Sequence, residues 1–183
     1  MLDRARSLLL VIDLQEAYRG KLHEEERTIA AARRLLQAAG LLGIPVLLTE
    51  QYPKGLGATR AEVAECLPPD TPCFEKTSFS CLGAPGLQER LSELARGGRD
   101  QIVVAGIETH VCVAQTIQDL IDHRREVHAV RDAITARFPL DDAIGWERAR
   151  SAGAHPITSE GALFEWLRDA RAPEFKAIHR LVV

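Results

Sequence analysis

The chain has 183 residues, of which 46% are hydrophobic and 27% charged, with a net charge of −3. That length suits one domain with a sizeable core. Lys and Arg are spread along the chain rather than gathered into a basic stripe, so no nucleic-acid surface is expected, and no apolar stretch approaches the roughly 20 residues of a membrane span.

Ser7-Leu8-Leu9-Leu10-Val11-Ile12-Asp13 is an apolar run that ends in an acid, the pattern of a strand buried on both faces. Because strand-like sequence begins this early, no signal or transit peptide is expected, and the expected location is cytoplasmic. Residues 24–42 carry helical spacing, with Ile29, Ala32, Leu35, Leu36 and Ala39 on one side. Ile44 to Thr49 is a second strand, with Pro45 near its start, where proline is tolerated. An irregular, Pro- and Gly-rich segment then runs from Glu50 to about Ser80; a loop that long in a compact domain is usually functional or mobile. A short extended piece, Pro72 to Glu75, lies near its end.

A helix is expected from Gly86 to Arg96, a strand over Gln101–Ala105, and a helix from His110 to Asp122. Glu126–Arg131 reads as a strand and Leu140–Ala152 as a helix. A short strand follows over Ala154–Thr158. Ser159 is expected to cap a last helix over Glu160–Asp169, with a further turn or two in the tail Pro173–His179. Strands alternating with helices imply an α/β fold, a parallel sheet covered on both faces, in a single domain over residues 1–183.

Three reactive residues fall near strand ends: Asp13 after the first strand, Lys76 after the extended piece, and Cys112 at the start of the helix that follows Gly106. Right-handed crossovers bring all three loops to one edge of the sheet, where ligands bind in open α/β sheets. An acid, an amine and a thiol meeting there make a nucleophilic site. Lys76 as a cation, and the first turn of a helix, are expected to favour the thiolate, and Asp13 to move the thiol proton. The turn from Gly106 to His110 would aim N–H groups at a developing oxyanion. Taken alone, each of these residues has a plain structural reading: Cys112 as a small core hydrophobe, Asp13 as a loop cap, Lys76 as a solvated amine. Cys66, Cys73 and Cys81 lack C-x-x-C spacing with each other or with Cys112, and the four are read as free thiols.

The strings Val11-Ile12-Asp13-Leu14-Gln15, Glu75-Lys76-Thr77-Ser78-Phe79 and Gly106-Ile107-Glu108-Thr109-His110-Val111-Cys112 resemble, in order and spacing, the isochorismatase-like cysteine hydrolases. That family includes nicotinamidases and carbamoylsarcosine amidases. Tyr52 to Gly57, Ser159 to Phe164 and Pro173 to Lys176 are most similar to its isochorismatase domain-containing subgroup. The resemblance implies a three-layer α/β/α sandwich around a mostly parallel, about six-stranded, Rossmann-like sheet. It implies a catalytic triad of Asp13, Lys76 and Cys112, and a cis peptide at Ile107–Glu108 that places the Glu108 N–H beside that of Cys112 as an oxyanion site. The implied chemistry is attack of the sulfur on an amide-like carbonyl of a small molecule, a thioester intermediate, and loss of an amine or ammonia. Leu14, Gln51, Tyr52, Phe79, Thr109 and His110 are candidate pocket residues. Phe79 and Leu14 read equally well as core, Thr109 as a turn-shaping residue and His110 as a helix-start residue.

One departure is informative. Metal-dependent nicotinamidases carry Asp-x-His after the second strand, where this chain has Glu50-Gln51-Tyr52, and there is no histidine between His23 and His110. No catalytic metal and no cofactor are expected. Vinyl-ether hydrolysis with Asp13 as the acid, phosphatase chemistry on Asp13, and a non-catalytic module stay open as alternatives. The C-terminal stretch Phe164–Val183 is expected to pack against a second subunit in a homo-oligomer, at least a dimer.

Overall fold

A computed structural model describes all residues, 1–183, and contains one six-stranded sheet in which every pairing is parallel. The strands are β1 (Ser7–Ile12), β2 (Val46–Gln51), β3 (Cys73–Lys76), β4 (Gln101–Ile107), β5 (Glu126–Thr135) and β6 (His155–Ile157), in the spatial order β3-β2-β1-β4-β5-β6. The helices are α1 (Glu25–Leu42), α2 (Pro53–Leu56), α3 (Ala61–Ala64), α4 (Leu87–Arg96), α5 (Ala114–Asp122), α6 (Pro139–Ala152), α7 (Ser159–Leu167) and α8 (Phe175–His179).

All six residues of β1 are buried, because this central strand is covered on both sides. Leu9 and Val11 pack with α1, α7 and Ile178 of α8; Leu8, Leu10 and Ile12 pack with residues of α4, α5 and α6. The period-two alternation of one apolar run thus feeds two cores, and the result is the expected three-layer sandwich. Each fully buried Leu contributes about 1.5–3 kcal/mol through removal of its side chain from water. No helix is long and apolar enough to cross a membrane.

The strand order reverses direction between β1 and β4, and the crevice outside the carboxyl ends of two such strands is where open α/β sheets bind ligands. Their close approach requires Gly106. Its φ is +127°, and a Cβ there would lie 2.1 Å from the Ile12 carbonyl oxygen.

Several boundaries differ from those read in the sequence. The segment from Glu50 to Ser80 is not irregular throughout: it contains α2, α3 and β3, elements of four residues each that are too short to show periodicity. β5 runs to Thr135, not Arg131, because a register shift opposite Val104–Gly106 lets the strand continue past the bulge. Before α5 the chain makes a π-helical turn over Thr109–Val113. Thr158, not Ser159, caps α7, its side chain accepting from the Gly161 N–H at 3.2 Å. The Ser159 hydroxyl is drawn away instead to donate to Asp132 Oδ2 at 2.6 Å. The C-terminal tail packs on its own chain, with Ile178 fully buried and Leu181 and Val182 against the α1 side of the core.

Candidate active site

β1 delivers its last residue's neighbour, Asp13, in the left-handed region (φ 54°), a conformation that Asp tolerates better than most residues. β3 ends on Lys76, which lies beside Gln51 of β2 in register. The Lys76 ammonium donates to Asp13 Oδ2 at 2.6 Å and to Gln51 Oε1 at 2.7 Å, with the Phe79 and Ser78 carbonyls at 3.2 and 3.3 Å. Both charged side chains of this pair are essentially inaccessible, at 0% and 2% exposure. Asp13 Oδ1 accepts from the Thr49 hydroxyl at 2.7 Å. Gln51 is held in turn by Gln15, whose buried amide accepts from the Gln51 N–H at 2.8 Å and donates to the Gln51 carbonyl at 3.0 Å.

Beyond β4 the Ile107–Glu108 peptide is cis. The π-helical turn then places Cys112, 7% exposed, beside Asp13. This turn is fixed from behind. The Thr109 hydroxyl donates to Asp142 Oδ1 at 2.6 Å, and Arg131 bonds both oxygens of the same carboxylate. Gly145 of α6 leaves room for the turn, since a Cβ there would lie 2.6 Å from the His110 nitrogen. The Glu108 carboxylate accepts from the Arg137 N–H and Nε at 2.9 and 3.0 Å.

Asp13, Gln51, Phe79, Ile107, Glu108 and Cys112 surround one cavity of about 280 Å³, together with Tyr18, Val111 and Arg137. Five of the sequence candidates do not line it. Lys76, its side chain fully buried, is joined to it through Asp13; Leu14 is core; Tyr52, at 54% exposure, begins α2 outside the cavity; Thr109 is buried against Asp142; and His110 faces Asp141, 3.8 Å away. The sequence reading missed Tyr18 and Arg137. Tyr18 lies in a 3-10 turn just past Asp13, and Arg137 follows the stretch of β5 beyond the bulge, so both hang on loops at the carboxyl edge of the sheet.

The electrostatics differ from the expected ready-made thiolate. Burial works against the Lys76 charge, but the adjoining Asp13 carboxylate outweighs it and holds the amine above its ordinary range. Cys112 is pushed well above an ordinary thiol, first by burial, then by the Asp13 charge, with Lys76 opposing. Lys76 has already spent its charge on Asp13, so the resting sulfur is a thiol beside a carboxylate. Cys81 is likewise pushed up, to about 11, mainly by burial.

The chain matches the isochorismatase domain family over residues 7–161. It is 41% identical over 177 residues to isochorismatase domain-containing protein 2 of Danio rerio, covering 96% of this chain and 86% of that protein. It is 38% identical over 178 residues to the secreted isochorismatase effector Isc1 of Phytophthora sojae, covering 96% and 84%. Among solved structures it is similar to the MAR1 ribonuclease of Caenorhabditis elegans, with a TM-score of 0.93, 36% identity, and coverage of 99% of this chain and 91% of that one.

Replacing Asp13 by Asn removes the charge that opposes ionisation of Cys112. Thiolate absorbance, referenced to Cys112→Ser, is expected to show Cys112 ionising at lower pH in Asp13→Asn than in the unmodified protein. An unchanged or higher midpoint would mean that Asp13 does not control the sulfur.

Proposed function

The chain belongs to the isochorismatase family, and on that premise we propose that it is a metal-independent cysteine hydrolase of small amides or related acyl compounds. Family membership supports hydrolase chemistry in general. The observation that carries the finer reading is a thiol and a carboxylate on the wall of one small cavity, with a buried ammonium paired to that carboxylate. As the Cys112 sulfur attacks the substrate carbonyl, Asp13 takes the thiol proton, so the thiolate forms only during attack. Lys76 pairs with the Asp13 carboxylate from the buried side and holds it in place. The N–H groups of Glu108 and Cys112 receive the developing oxyanion. The C–N bond then breaks, Asp13 returns the proton to the departing amine, and a thioester remains on Cys112. A water, its proton taken by Asp13, attacks the thioester carbonyl; the acid leaves and the thiol is restored. This sequence requires no cofactor.

The C. elegans relative is named a ribonuclease, which makes RNA a second substrate to test. A cavity of about 280 Å³ beside a buried carboxylate suits a small neutral or polar acyl group better than a polyanion. With four free thiols the chain suits a reducing compartment, and we place it in the cytoplasm.

We also propose a homo-oligomer, at least a dimer, in which the exposed apolar face of α6 is buried. Leu140 and Ile144, one helical turn apart, are 72% and 50% exposed, and Phe138 beside them is 59% exposed.

With a panel of small amides assayed by amine or ammonia release, Cys112→Ala is expected to lose turnover by about 10³-fold or more with an unchanged melting temperature. Isochorismate cleavage that survives this substitution would favour vinyl-ether chemistry, and RNA cleavage by the unmodified protein with no amide turned over would replace the proposal. Light scattering at micromolar concentration is expected to give at least a dimer, and a monomer for Leu140→Glu combined with Ile144→Glu; a monomeric unmodified protein would refute the assembly.

A further inference from the structure

Thr49 stands behind the acid, on the side of the carboxylate that Lys76 does not occupy. It is fully buried on β2, paired in register with Ile12, the residue before Asp13. Its hydroxyl lies 2.7 Å from Asp13 Oδ1 and 3.6 Å from the Cys81 sulfur. A threonine hydroxyl has one hydrogen, and an ionised carboxylate can only accept. The hydrogen therefore goes to Asp13, and the contact with Cys81 runs the other way, from the thiol S–H to the Thr49 oxygen. Cys81, with its ionisation pushed up by burial, keeps the hydrogen that this direction needs. The Cys81 N–H is itself anchored on the Thr116 hydroxyl of α5 at 2.9 Å. A relay of three groups thus runs from Cys81 through Thr49 to the carboxylate, each donation strengthening the next.

Two residues further along β2 and on the same face of the strand, Gln51 accepts from Lys76. β2 therefore holds both members of the ion pair: a hydroxyl donates to the acid and an amide oxygen accepts from the amine. We propose that Thr49 is a positioning residue, which orients the Asp13 carboxylate and sets its proton affinity by donating to Oδ1 while Lys76 holds Oδ2. The inference deepens the proposed cysteine-hydrolase reading and rests on it for the role of Asp13 as proton acceptor. A donor to the charged form favours that form, so Thr49 restrains the base and fixes which lone pairs remain for the Cys112 proton. The other ionisable groups that feel this carboxylate are Lys76 and Cys73 from β3, Cys81, Cys112 and Tyr18; none of them takes the place of the hydroxyl at Oδ1.

The test is the carbon-13 NMR titration of the Asp13 carboxyl carbon in aspartate-labelled protein, assigned with Asp13→Asn. Thr49→Val keeps the buried volume and removes the donor; Thr49→Ser keeps the donor and removes a methyl group. Loss of a hydrogen bond to a charged group corresponds to a shift of about one pH unit or more. The midpoint is expected to move up by that amount in Thr49→Val and to return to the unmodified value in Thr49→Ser. A midpoint unchanged in Thr49→Val, or moved as far in Thr49→Ser, would overturn the assignment. The titration uses no substrate and no turnover, so its failure is distinct from retention of activity by Cys112→Ala, which would overturn the hydrolase reading.

Discussion

The buried ion pair between Asp13 and Lys76 is the constraint on which the site depends. Two opposite charges with almost no exposure have given up their hydration, and such a pair repays that loss only when the remaining lone pairs and protons are also satisfied. Here the ammonium protons are met and each carboxylate oxygen has one donor. Lys76 meets Gln51 and two backbone carbonyls besides Asp13, and Asp13 meets Thr49 besides Lys76. Removing one partner of a pair this deep typically costs about 3–5 kcal/mol. The arrangement is therefore better understood as a device for fixing a buried carboxylate in one orientation than as a source of stability.

The same pair decides what kind of thiol Cys112 is. An unengaged lysine beside the sulfur would draw it toward the thiolate, but this lysine is neutralised by its acid. Burial and the carboxylate together hold the sulfur protonated. Under the proposed cysteine-hydrolase chemistry, such a site would store its proton on the sulfur and release it only when a carbonyl arrives to take the electron pair. That logic suits a protein with three other thiols, because a resting thiol is a poor target for oxidation and alkylation. The fold supplies the geometry cheaply. The strand order brings the carboxyl ends of β1 and β4 to a switch point, β3 reaches the same edge through β2, and Gly106 lets the two central strands close up.

Much of this was legible in the sequence. The all-apolar run ending at Asp13, and the β-branched run ending near Gly106, are what a doubly covered parallel sheet demands, and right-handed crossovers brought the loops of Asp13, Lys76 and Cys112 to one edge. The failures share a cause: they lie where neighbours override local pattern. β3 is four residues long and has no periodicity of its own; β5 continues only because a bulge reopens its pairing with β4. Ser159 has the chemistry of a cap but is taken by Asp132. Tyr18 and Arg137 reach the cavity from loops whose path depends on those elements. Thr49 was read only as the end of a strand, since nothing in a linear sequence signals a hydrogen bond to a residue 36 positions away.

The central claim is that Cys112 is a resting thiol, activated by Asp13, that carries the acyl group. Rapid-quench intact-mass spectrometry of a single turnover, with any amide the protein hydrolyses, tests it most directly. The account predicts a transient acyl adduct that maps to the Cys112 peptide and is absent from Asp13→Asn at neutral pH. Complete conversion of the amide with no adduct at any quench time, while thioester standards survive the quench, would contradict it.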